Sequence, residues 1–308
     1  MTVSLRHVLE QGPVIRALGR TAWSAIRAKP GAAKPSCPGP WIEAELPPRS
    51  DALVRDYIRH VGGDPSWYRG VLPAHLFPQW GFGLAAETLV GIPYPLARVM
   101  NAGCRIEAKA PLPANEPLHV KVRLESIDDD SRRALITQRI LTGTRSAPEA
   151  VDAELRAFVP LGKPEGKGEK GATRAAPKQR PTVPGDAKEI AFLRIASNAG
   201  LEFAKLTGDF NPVHWVPAYA RANGFRACIL HGFATLARSL EALNRASFAG
   251  DATRLAWVDV RFTRPLVLPA RVGVYMTPTP DGGGLFVGDA PSGGAYLEGR
   301  FGTRTIDA

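Results

Sequence analysis

Shifted against itself by 154 residues without a gap, the chain repeats its own landmarks. Gly70 meets Gly224, Leu76 meets Leu230, Pro111-Leu112 meets Pro265-Leu266, and Val120 and Val122 fall on Val274 and Met276. The same pattern follows in both halves. An apolar run (82–90; 233–243) precedes an extended segment (102–108; 256–262). β-branched, alternating stretches come after the Pro-Leu pair (119–124; 271–276), with a further one at 134–141 in the first half. Apolar runs of about this length suit a buried helix, and the alternating stretches suit strands. The expected fold is α+β, one long helix with several antiparallel strands, built twice. At 308 residues each copy is large enough to bury a real core.

Residues 162–186, GKPEGKGEKGATRAAPKQRPTVPGD, hold almost no large apolar side chain. Such a stretch buries too little surface to offset the entropy of ordering, so it is expected to be a flexible linker. The boundaries that follow are an N-terminal arm at 1–45, a first domain at 46–161, the linker at 162–186 and a second domain at 187–308. In the arm Val3, Leu5, Val8, Leu9, Ile15, Leu18, Trp23 and Ile26 form an apolar stripe broken at Pro13. It is expected to dock on the body or fray; a basic amphipathic anchor on a membrane surface is the alternative.

The formal charge of +10 matters only once it is located. Residues 1–35 carry six basic residues against Glu10, and 162–186 carry six against three acids, so the two segments hold eight of the ten charges. A nucleic-acid binder carries its charge on a structured face with interleaved aromatics; nucleic acid is therefore not expected as a partner. No stretch of 18 uncharged apolar residues is present, so no membrane span is expected. Three widely spaced cysteines, Cys37, Cys104 and Cys228, fit a reducing, cytoplasmic compartment and have no zinc spacing.

The densest chemistry lies at 203–215, FAKLTGDFNPVHW. Residues 201–206 read as the last turn of a helix, and Gly208 lets the chain turn sharply after it. Asn211-Pro212 reads as the cap and first position of a following helix, which places His214 in its first turn and Asp209 just outside. A carboxylate and an imidazole are thereby held on one short segment, able to converge on a single water. Farther on, Leu230-His231-Gly232 heads the long apolar helix. The N–H groups of a helix N-terminus suit a carbonyl oxygen that is gaining negative charge.

The run Phe203-x-x-Leu206-Thr207-Gly208-Asp209-x-Asn211-Pro212-Val213-His214, with Ala220, Ile229-Leu230-His231-Gly232 and Arg261-Phe262-x-x-Pro265, resembles the hydratase-2 motif of MaoC-like dehydratases and (R)-specific enoyl-CoA hydratases. The resemblance covers 190–303 well; the first half is similar, more weakly, to the non-catalytic half of tandem members. It implies a double hot dog, two curved antiparallel sheets each wrapped around a long helix. It implies reversible hydration of trans-2-enoyl thioesters, or dehydration of (3R)-hydroxyacyl thioesters, carried on CoA or acyl carrier protein. Carried over, Asp209 and His214 are the acid–base pair and the Gly232 N–H is the donor to the thioester carbonyl. Asn211 and His231 are supporting residues, and no cofactor or metal is required. It leaves room for a homodimer of double hot dogs. An acyl-CoA thioesterase and a non-catalytic acyl-thioester binding protein are the alternatives, since hot-dog folds host several activities.

This sequence departs from the motif in two places: Phe203 stands where a Tyr is usual, and Leu240, beside Ser239, stands where some members place a supporting Ser. In the first half Val61-Gly62-Gly63-Asp64-Pro65 echoes the motif at a shift of 145, which leaves nine residues missing and no following His. Phe77 and Pro78 take the places of His231 and Gly232, and proline has no N–H to offer. This half is expected to complete the pseudo-dimer and house the acyl chain near Phe77, Trp80, Phe82 and Leu84. His7, His60, His75 and His119 show no pairing and are expected at the surface or in packing. Cys228 has no base at useful spacing. Arg221, Arg226, Arg261 and Arg264 are solvated or meet substrate phosphates, and 282–284 reads as a tight turn.

Overall fold

The computed structural model describes residues 2–12, 14–16, 19, 34–96, 99–130, 132–161 and 180–304. The alternating segments form ten strands. The first half contributes β1 (Ile42–Leu46), β2 (Met100–Ala108), β3 (Leu118–Asp130), β4 (Arg133–Gly143) and β5 (Val151–Pro160). The second contributes β6 (Lys188–Ile195), β7 (Leu255–Phe262), β8 (Ala270–Thr279), β9 (Gly282–Gly288) and β10 (Ala295–Thr303). All ten join one antiparallel sheet in the order β1-β3-β4-β5-β2-β7-β10-β9-β8-β6. The first half thus reads first, third, fourth, fifth, second, and the second half repeats that order in reverse. Along β5 buried and half-buried residues alternate throughout, as expected for a sheet with one face on a core.

The halves meet at β2 and β7, where Arg105 pairs with Asp259, the residue 154 positions on. One step to either side Cys104 faces Val260 and Ile106 faces Val258, so equivalent residues exchange places across the junction. That is the self-complementary pairing of a two-fold interface, here within one chain. The fold is the double hot dog implied by the sequence.

Six described helices are used below: α1 (Arg6–Glu10), α2 (Asp51–His60), α3 (Pro78–Glu87), α4 (Ala199–Thr207), α5 (Pro217–Ala222) and α6 (Gly232–Ser247). The central helices α3 and α6 begin at Pro78 and Gly232, again 154 residues apart. Helix α6 runs for about 24 Å at ~1.5 Å per residue and is buried almost all round, as a helix wrapped by a sheet must be. Helix α3 stops at Glu87, short of the run expected to 90. The Thr88 hydroxyl bonds back to the Ala85 carbonyl at 2.8 Å, and the chain turns through Gly91 (φ +81°).

Several expected boundaries shift. β1 begins inside the expected arm, because Ile42–Leu46 pairs with 118–122 of β3. Residues 181–183 of the expected linker are tied to the body: Thr182 bridges Gly294, and Val183 is fully buried and donates to the Gly293 carbonyl. Residues 162–179, and Leu18, Trp23 and Ile26 of the arm, lie outside the described residues. Glycines 282–284 open β9 rather than forming the turn, which falls at 280–281. No described helix is long and apolar enough to cross a membrane. Cys37, Cys104 and Cys228 are all unpaired.

Candidate active site

Helix α4 ends at Gly208, whose φ of +80° is the left-handed conformation that only glycine adopts cheaply. Asp209 follows at once. The Asn211 side chain accepts from the Val213 N–H at 3.2 Å and caps a 3-10 turn, Pro212–His214. The expectation of a continuous helix from Pro212 is corrected. Pro217 forces Val216 into extended backbone, so the turn ends at His214 and α5 starts separately. His214 is therefore the last residue of a rigid single turn.

Its ring is fixed from both sides. The Ile229 carbonyl lies 2.9 Å from His214 Nδ1, which must carry the proton because a carbonyl only accepts. Nε2 is then the unprotonated nitrogen. The other face of the ring stacks on His231, centroids 3.6 Å apart. His231 caps α6 and donates from Nε2 to the Asp209 carbonyl at 3.0 Å, holding the loop that carries Asp209. His231 thus supports both partners of the candidate pair, a juxtaposition no spacing in the sequence announced. One polar atom from each of Asp209, His214 and His231 lies within 4.8 Å of the other two. That spacing alone would admit a metal. Two of the imidazole nitrogens are already engaged, however: His214 Nδ1 donates to the Ile229 carbonyl and His231 Nε2 to the Asp209 carbonyl.

The Gly232 N–H, at the first position of α6, meets no acceptor among the described residues. A Cβ at Gly232 would lie 2.6 Å from the Phe262 ring, so packing alone also demands a glycine here. Phe233, next in sequence, holds Phe77, Phe82 and Phe262 edge-on at 5.4–5.6 Å, a wall of aromatic rings drawn from both halves beside that N–H. Phe203, in place of the motif's Tyr, is buried against Tyr57, His60 and His231. Ser239 bonds the Leu236 carbonyl of its own helix and Leu240 is buried, so neither supports Asp209. Arg261 pairs with Glu298, and Arg264 bonds Asp289 and the Ala295 carbonyl.

The first half repeats the scaffold without the chemistry, in a register that corrects the sequence reading. Asp64 caps the 3-10 turn Pro65–Trp67 by accepting from the Ser66 N–H, just as Asn211 caps Pro212–His214. Asp64 therefore corresponds to Asn211, 147 positions on, not to Asp209. Trp67 stands at the place of His214, and seven residues, not nine, are missing, all within the stretch that includes α5. The two glycines before Asp64 have separate reasons: Gly62 sits at φ +93°, and a Cβ on Gly63 would run into the Glu241 carboxylate.

Glu241 belongs to a buried polar cluster that the sequence did not announce. Tyr68 donates to it at 2.6 Å, His75 Nε2 lies 3.2 Å away, and Tyr57 bonds His75 Nδ1 at 2.9 Å. His7 likewise sits between Glu10 and Asp56. The expectation that these histidines lack partners is thus corrected for all four, since His60 Nε2 accepts from Arg238 at 3.1 Å and His119 Nδ1 lies 3.9 Å from Glu45; the partners are distant in sequence or unremarkable locally.

Burial lowers the His214 pKa, against the opposing pull of Asp209, so the ring stays neutral at neutral pH. Burial, helped by His214, pushes His231 down to about 3; burial and then Arg238 do the same to His60. The unfolded chain takes up protons at these two sites below about pH 6.5, whereas the folded chain refuses them until about 3. Stability is therefore full above pH 6.5 and falls as pH drops toward 3, at about 1.4 kcal/mol per pH unit for each histidine. Urea midpoints from pH 7 to 4 should show this, and His60→Gln should flatten the slope. An unchanged slope in that variant would contradict the burial argument.

Residues 173–281 match the family model described as the MaoC-like domain. Over 218 residues the chain is 27% identical to 3-hydroxyacyl-thioester dehydratase X of Mycobacterium tuberculosis, covering 70% of this chain and 73% of that protein. It is 30% identical over 174 residues to the enoyl-CoA hydratase ChsH3 of the same organism, covering 56% and 58%. The crystal structure of HtdX from that bacterium superposes with a TM-score of 0.66 at 21% identity, over 85% of this chain and 99% of that one.

Proposed function

The chain belongs to the MaoC-like family through its second half, and we propose that it reversibly hydrates trans-2-enoyl thioesters and dehydrates (3R)-hydroxyacyl thioesters. The observation that carries this reading is the convergence of Asp209 and His214 on His231 at the head of α6, where the next residue, Gly232, has an N–H with no acceptor among the described residues. Neutral His214 presents Nε2, and Asp209 presents a carboxylate; the two accept the two protons of one water. The water oxygen bonds to C3 as its O–H bond breaks, and the C2=C3 electron pair moves onto the thioester as an enolate. The Gly232 N–H donates to that enolate oxygen. The proton held by the Asp209–His214 pair then passes to C2, so water is added across the double bond with nothing left over. Elimination runs the same steps backward.

Asn211 and His231 are supporting residues, the one shaping the turn and the other holding the Asp209 carbonyl and the His214 ring. The first half, with Trp67 and Pro78 at the places of His214 and Gly232, adds Phe77 and Phe82 to the aromatic wall for the acyl chain and supplies no second site. The relatives' names cover a dehydratase and a hydratase, in keeping with a reaction that runs both ways. The substrate carrier is CoA or acyl carrier protein.

Hydration of crotonyl-CoA, followed by loss of the enoyl absorbance, tests the reading. Thiol release without hydration would point to a thioesterase, and binding without turnover to an acyl-thioester binding protein. The pH profile gives a sharper test. Because burial lowers the His214 pKa, the acidic limb of kcat/KM is expected below pH 6.5, the ordinary histidine value. A limb at or above that value would remove His214 in its buried, neutral form from the mechanism.

A further inference from the structure

The N-terminal segment docks the wrong way round for an apolar anchor. Leu5 and Leu9 are 71% and 85% exposed, while Val3, His7, Gln11 and Val14 face inward and are buried. Apart from Val3, the leucines and Ile15 of the apolar stripe expected from the sequence are thus not on the face that packs. A segment held only by the hydrophobic effect would bury its leucines; one that buries a histidine and a glutamine is held by specific hydrogen bonds.

Those bonds end at one place. Gln11 donates from Nε2 to the Leu206 carbonyl at 3.2 Å and the Lys205 carbonyl at 3.4 Å. These belong to the last turn of α4, where carbonyls lack intrahelical donors, and Gly208 and Asp209 follow directly. The Gln11 Oε1 accepts from Gln79 on α3, so one side chain ties the first half's central helix to the end of α4. Val14 lies against Gly208, where a Cβ would come 3.0 Å from it. One turn earlier the Val3 N–H donates to Glu202 at 2.6 Å, completing a buried pair in which Lys205 lies 3.0 Å from Glu202.

We propose that the described residues 2–12 and 14–16 form a strut that sets the position of Asp209, with Gln11 as its positioning residue. The proposal rests on the hydratase reading for what Asp209 does, but the strut itself can be tested apart from it. The leverage is geometric: displacement of a reacting group by about 1 Å can cost up to ~10²-fold in rate.

The test compares full-length wild type with Gln11→Met, which removes the donor at similar volume, and with Gln11→Glu, which keeps the shape and loses the N–H. Amide exchange across 205–214 and crotonyl-CoA kinetics are read on variants whose melting curves show them folded. The expected result is faster exchange in that segment together with kcat at least ~10-fold lower and KM little changed. Unchanged exchange overturns the strut, as does faster exchange with normal kcat, or a loss expressed only in KM. If one variant fails to fold, the other decides. If wild type does not hydrate crotonyl-CoA, the hydratase reading fails, and exchange alone decides whether Gln11 holds the segment.

Discussion

Asp209→Asn and His214→Ala are each expected to lower kcat for enoyl-thioester hydration by at least ~10²-fold, with the melting temperature little changed. Each removes one of the two groups that hold and move the water's proton. Asp209→Asn keeps the side-chain shape, and the backbone carbonyl that accepts from His231 is untouched. His214→Ala also removes the ring stacked on His231, so its melting curve belongs beside its kinetics. The matched control is Asp64→Asn. Asp64 caps a 3-10 turn on the first half's surface, and asparagine caps equally well. Turnover in that variant should equal wild type. If Asp64→Asn were as damaging as Asp209→Asn, the division of labour between the halves would be wrong.

The second large effect belongs to Gly232, and the structure changes how it has to be measured. Gly232→Ala by itself mixes two causes, because the new methyl meets the Phe262 ring at 2.6 Å. Overpacking of this kind costs about 1–3 kcal/mol in stability. Shortening the neighbour separates the causes. Gly232→Ala/Phe262→Leu and Gly232→Pro/Phe262→Leu carry the same β-carbon in the same enlarged space, and proline is tolerated at a helix's first position. They differ in the N–H. The proline double variant is expected to be slower in kcat by about 10²–10³-fold, the loss typical of one oxyanion donor. Equal turnover in two folded proteins would sink the carbonyl-donor role and move the search to other N–H groups. Pro78 at the equivalent place in the first half shows that a central helix of this fold can begin with proline.

Most of the architecture and part of the site could be read before any coordinates. The 154-residue repeat carried the two-fold: a strand pairing with its own copy must exchange equivalent residues, and Arg105 opposite Asp259 is that exchange. The turn around Asp209 was readable because its causes are local. Gly208 supplies a positive φ, Asn211 a cap and Pro212 a preset first position, each within a residue or two of its effect. Local signals also misled where one echo could be laid on another in two registers. Asp64 looks like Asp209 by its neighbours in sequence and proves equivalent to Asn211 by the turn it caps.

What only the tertiary structure decided is how polar groups are paired across long separations. His231 stacks on His214 and holds the Asp209 carbonyl from the head of another helix. Tyr68 meets Glu241 across 173 residues, and Gln11 meets Leu206 across 195. Phe262 occupies the space that makes Gly232 obligatory. None of these has a period, because a buried donor needs only some acceptor within about 3 Å, and the fold, not the neighbouring sequence, determines which one arrives. Helix and strand patterns repeat because the backbone repeats, so they are written along the chain. A hydrogen bond between distant segments leaves no mark on the sequence around either partner, and it becomes visible only when the chain has brought the two together.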